Sequence, residues 1–109
     1  MSKTLRFAAD GKDYTLEFTR RTVSEMERKG FIASEITDKP MTTLPALFAG
    51  AFLAHHRFVK QEAIDGIFSR LAKKEELIGK LAEMYSEPIM TLVEDPEPSA
   101  GNLDWAASW

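Results

Sequence analysis

The sequence predicts an α+β fold, mainly α: an N-terminal β-hairpin, about four helices and an extended acidic C-terminal tail. Three observations carry this. Two stretches of alternating apolar and polar residues flank Asp10-Gly11. Apolar positions then recur at helical spacing from Leu44 to Tyr85, and the last sixteen residues lose that periodicity altogether. The expected organisation is a compact domain over 1–93 and a flexible tail over 94–109.

Asp-Gly between alternating segments is a strong short-range hairpin signal, because both residues tolerate positive φ. With Asp10 and Gly11 as the turn, Phe7 faces Tyr14 and Leu5 faces Leu16. All four side chains then share one face, so turn chemistry and side-chain period agree on the register. A hairpin alone is marginal, so this face must pack on helices or on another subunit.

Thr22-Val23-Ser24-Glu25 reads as a capping box opening a short helix that Gly30 can end. Val23 and Met26 supply its inward face. Thr42 or Thr43 is the expected cap of the next helix, with Pro45 in its first turn. Its apolar positions 44, 47, 48, 51, 52 and 55 form one stripe, so the helix is expected to reach about Arg57. A further helix over about 61–71 places Ile64, Ile67, Phe68 and Leu71 on one side. The last helix carries Leu77, Ile78, Leu81, Met84 and Tyr85, and Pro88 is expected to kink or restart it. From Asp95 to Asn102 the composition is that of an extended segment.

The chain of 109 residues has no cysteine, which removes disulfides, thiol nucleophiles and cysteine-based zinc sites. No apolar run approaches the roughly 20 residues of a membrane helix, and the N-terminus lacks the pattern of a signal peptide. The net charge of -3 conceals an asymmetry. Residues 1–80 hold all 14 Lys and Arg against 11 acids, whereas residues 81–109 hold six acids and no Lys or Arg. The basic groups are scattered between helix ends and loops, which argues against a nucleic-acid surface.

His55-His56 is the pair that invites a metal. Adjacent helical residues point about 100° apart, so one regular helix cannot aim both at one ion, and no further histidine exists. His55, on the apolar stripe, is expected to be the more buried. No serine lies in a nucleophile elbow and no glycine-rich phosphate loop occurs. The expectation is a protein that is no enzyme, with no catalytic, metal or cofactor site and no cofactor. Candidate partner-binding residues are Phe48 and Phe52 on the apolar helix, and Leu103, Trp105 and Trp109 in the tail. Aromatic residues on an acidic segment can dock into the groove of another subunit.

The ordered string resembles a known family. The hairpin Leu5-Arg6-Phe7 … Gly11-Lys12-Asp13-Tyr14-Thr15-Leu16-Glu17-Phe18-Thr19-Arg20 leads into Val23-Ser24-Glu25-Met26-Glu27. Then come Lys39-Pro40-Met41-Thr42-Thr43-Leu44-Pro45-Ala46-Leu47-Phe48, Gly50-Ala51-Phe52 and His55-His56-Arg57-Phe58-Val59. The last helix reads Leu81-Ala82-Glu83-Met84-Tyr85-Ser86-Glu87-Pro88-Ile89 and the end Gly101-Asn102-Leu103-Asp104-Trp105. In this order the segments resemble the small tail assembly chaperones of long-tailed phages and prophages of Gram-positive bacteria.

The resemblance implies a non-catalytic protein that binds the tape measure protein, keeps it soluble and helps recruit tail tube subunits. It implies work in the host bacterial cytoplasm during virion morphogenesis and absence from the mature virion. It also implies that this chain is the shorter product of a gene that ribosomal frameshifting can extend. Self-association, through hairpin edges or the tail, is a further expectation, with no membrane partner. The alternatives are a small regulatory nucleic-acid-binding protein of a phage or prophage, and an orphan enzyme subunit.

Overall fold

In the computed structural model, residues 3–94, 103 and 106–109 are described. The architecture is an N-terminal antiparallel hairpin followed by four α-helices, an α+β fold that is mainly α. Strands β1 (Thr4–Ala9) and β2 (Lys12–Glu17) pair in the expected register, with Phe7 opposite Tyr14 and Leu5 opposite Leu16. Asp10 and Gly11 both have positive φ, 52° and 79°, as a two-residue turn matching the strand twist requires. Tyr14 and Leu16 are buried, with Leu5 and Phe7 packed against them.

Helix α1 (Arg20–Arg28) starts earlier than the sequence suggests. Its cap is Thr19, whose hydroxyl accepts from the Thr22 N–H, while the Thr22 hydroxyl accepts from the Thr19 N–H at 2.9 Å. Thr22 thus fills the reciprocal position usually held by Glu or Gln. Glu25 is released from capping and faces a different partner. At the other end Gly30 donates to Glu27 and Phe31 donates to Met26, a Schellman closure.

A 3-10 turn (Ala33–Ile36) leads to α2 (Pro40–Gly50). Pro40, not Thr42 or Thr43, opens this helix, because its missing N–H and fixed φ suit the first position. Pro45 consequently lies inside the helix rather than in its first turn. The helix also ends at Gly50, well short of Arg57. The Ala51 carbonyl accepts from the Glu17 N–H at 3.1 Å, so the sheet edge takes the acceptor that a continuing helix would need. Phe52 and Leu53 donate to Ala49 and Gly50, three residues back, and the chain tightens into successive turns.

Helix α3 (Gln61–Arg70) buries Ile64 and Ile67, and α4 (Lys74–Leu92) buries Leu77, Leu81, Met84 and Tyr85. The last helix runs through Pro88 to Leu92 rather than restarting there. The core lies between the hairpin's inner face and the helices, with Leu16, Leu47, Phe48, Phe52 and Leu81 its most enclosed large side chains. The Phe18, Phe31 and Tyr85 rings meet edge-on at its α1–α4 side.

Candidate interaction surfaces

Phe48 and Phe52, named as candidate partner contacts, are 0% and 1% exposed. Both are enclosed by their own chain, and Phe52 stands in the wall of the groove between α1, α2 and α3. Phe52 packs edge-on to Phe7, Tyr14 and Phe48, and Phe48 also lies against Phe68 of α3. Leu103 and Trp109 are the opposite case, 91% and 101% exposed. Trp105 lies outside the described residues.

The two histidines exchange their expected places. His55 is exposed and its Nε2 lies 2.7 Å from Glu17 Oε1. His56 is the half-buried one, and its Nε2 accepts from the Thr15 N–H at 3.0 Å. Because a backbone N–H can only donate, this Nε2 is unprotonated and a neutral ring carries its proton on Nδ1. Together the Ala51 carbonyl and His56 occupy the outward N–H groups of Glu17 and Thr15. Two of the outward N–H groups on the edge of β2 are thereby taken from within the chain. Among the described residues no group of three or more His, Cys, Asp or Glu could hold a metal ion.

Between the end of α1, the 3-10 turn, α2 and the start of α3 lies a groove of about 640 Å³. Met26, Ala46, Ala49, Leu53 and Ile64 give it an apolar floor. Lys29, Lys39 and Arg57 stand around it, with Glu35 the lining carboxylate. Arg57 binds Glu25 through paired 3.0 Å hydrogen bonds, holding that carboxyl below its ordinary range, and Lys39 lies 3.2 Å from Glu35. Lys29 makes no ion pair among the described residues. The sequence showed these cations but not their convergence, since the elements meet only through the tertiary fold.

A second apolar surface is formed by the end of α4, where Ile89, Met90, Leu92 and Val93 are all exposed. The Arg20 guanidinium donates to the Thr91 carbonyl at 2.7 Å and ties this end to α1. Four such side chains within about one turn are more than the scattered exposed apolar residues of an ordinary surface. Met41 and Phe58 are exposed individually.

The fold and these surfaces define a small α+β domain, mainly α, with exposed apolar side chains at the end of α4. All of residues 1–109 match a family described as "Domain of unknown function (DUF5055)", and the chain belongs to that family. No curated protein and no solved structure matches the chain. No helix among the described residues is long and apolar enough to cross a membrane.

Proposed function

We propose that the protein is a non-catalytic phage tail assembly chaperone, which binds the tape measure protein, keeps it soluble and helps recruit tail tube subunits. The reading begins from the ordered resemblance along nearly the whole sequence. The structural observation that supports it is the uncovered apolar end of α4, where Met90 and Val93 are 60% and 80% exposed. A protein that keeps a long helical client soluble needs apolar surface of this kind beside charge that keeps it soluble itself. Helix-facing contacts at such a surface require no cofactor. The place of action in this reading is the host bacterial cytoplasm, with no copy retained in the virion.

The disposition of the cations favours this reading over nucleic-acid binding. Lys3 bonds Glu83, Arg57 bonds Glu25, Arg70 bonds Asp10 and Arg20 bonds the Thr91 carbonyl. These groups tie elements of the domain together instead of lining one face for phosphates. Co-expression with a tape measure fragment that is insoluble alone is the test. The proposal expects the fragment in the soluble fraction, bound to this chain. A fragment that stays insoluble beside soluble protein, together with salt-dependent binding of the protein to duplex DNA, would transfer the assignment to the regulatory alternative.

A further inference from the structure

We infer that the groove between α1, α2 and the start of α3 is the docking site for the acidic, tryptophan-bearing C-terminal segment of a second copy of this chain. The inference stands apart from the chaperone reading, because it concerns how copies of the chain recognise each other. Its first support is charge. Residues 94–109 carry Glu94, Asp95, Glu97 and Asp104 with no Lys or Arg. Around the groove Arg57 is paired with Glu25 and Lys39 with Glu35, which leaves Lys29 as the cation with no ion partner among the described residues. An acidic peptide across this rim gains attraction that a basic or neutral one lacks.

The second support is apolar complementarity. The floor of Met26, Ala46, Ala49 and Leu53 holds small and flexible side chains, which leave depth for a large ring. The segment brings Leu103, Trp105 and Trp109, and tryptophan is a frequent anchor of peptide-in-groove contacts. The third support decides between the same and a second copy. Leu103 and Trp109 are 91% and 101% exposed, so neither sits in the groove of its own chain. Tail-to-groove contact is head-to-tail, which lets copies add in series unless a ring closes.

Trp105 and Trp109 are the two tryptophans of the chain, so intrinsic fluorescence of the full-length protein reports on the segment alone. With rising protein concentration the emission should shift to the blue, acrylamide quenching should fall, and light scattering should show growing mass. Ala46→Glu and Lys29→Glu, at exposed positions that leave the core untouched, should each abolish all three changes while far-UV circular dichroism stays the same. A synthetic peptide of residues 94–109 should compete for the groove and restore the monomer. A strict monomer whose emission equals that of the free peptide overturns the inference. Tryptophan burial independent of concentration also overturns it, since the segment then docks in its own chain. Self-association that both groove variants leave intact places the contact elsewhere and overturns it equally.

Discussion

Arg57 holds Glu25 in a paired grip of two 3.0 Å hydrogen bonds across 32 residues of sequence, fastening α1 to the turns that follow α2. The guanidinium matches both carboxylate oxygens at once, a geometry that lysine cannot reproduce. Hydrogen bonding by Arg57 is the main reason that Glu25 stays ionised below its ordinary value of 4.5. The same cause lowers Asp10 beside Arg70 and Glu83 beside Lys3.

Acid stability follows from these pairs. A carboxylate depressed in the folded state adds stability above its unfolded pKa, and that stability is lost as pH falls through the folded value. Urea midpoints should hold steady down to the ordinary values of 4.5 for Glu25 and 3.8 for Asp10, and decline below them. Arg57→Ala should lower the midpoint at pH 7 and make the decline on the acid side shallower. Arg57→Lys should fall between the two proteins. An unchanged acid slope in Arg57→Ala would show that the pair adds nothing, as exposed pairs often do not.

The glycines of the helices should respond differently. Gly50 sits against the Met26 side chain, whose Sδ and Cε atoms occupy the place of any added Cβ. Gly50→Ala should therefore forfeit the helix-propensity gain of up to about 1 kcal/mol, because the flexible end of Met26 must swing aside to admit the methyl group. Gly66 and Gly79 have open space where a Cβ would stand. Replacing either by Ala should stabilise by about 0.5–1 kcal/mol in urea unfolding.

His56 should behave as part of the strand edge. His56→Ala removes the acceptor of the Thr15 N–H and the ring packed edge-on to Tyr14. The expected loss is about 1 kcal/mol, as for a typical hydrogen bond lost at a half-buried position. Amide exchange gives the more specific reading: Thr15 should lose protection in this variant, while His55→Ala should leave Thr15 unchanged.

Three phenylalanines separate core from surface. Phe48→Ala and Phe52→Ala should each cost about 3–5 kcal/mol, the range for truncating a buried aromatic side chain. Phe58, 93% exposed, should tolerate Ala within about 0.5 kcal/mol. Thermal unfolding of the three variants measures this directly.

These cases also mark what the amino-acid sequence could and could not reveal. The hairpin register was legible because it depends on Asp10-Gly11 and on alternation within a few residues of it. Ile64, Ile67, Leu77, Leu81 and Met84 were legible because helix periodicity is likewise local. The end of α2 was not, because it depends on the Glu17 N–H, 34 residues earlier, claiming the Ala51 carbonyl. Once the helix stops at Gly50, His55 moves outward and His56 moves inward, so the assignment of the histidines inverts with it. Thr19 escaped notice as a cap because a threonine, rather than a glutamate, completes its reciprocal pair. The groove was out of reach for the same non-local reason, and the exposed end of α4 continued an apolar pattern that reads like core.

The chaperone proposal meets its most direct measurement in the co-expressed tape measure fragment, purified with the wild-type chain and with Met90→Asp/Val93→Asp. Both side chains are exposed, so the double variant should fold and unfold like the wild type. Light scattering on the eluted peak should show a soluble complex with the wild-type chain and little or none with the variant. Equal recovery with both chains would remove the end of α4 as the client surface, and a fragment left insoluble by the wild-type chain would contradict the chaperone assignment itself.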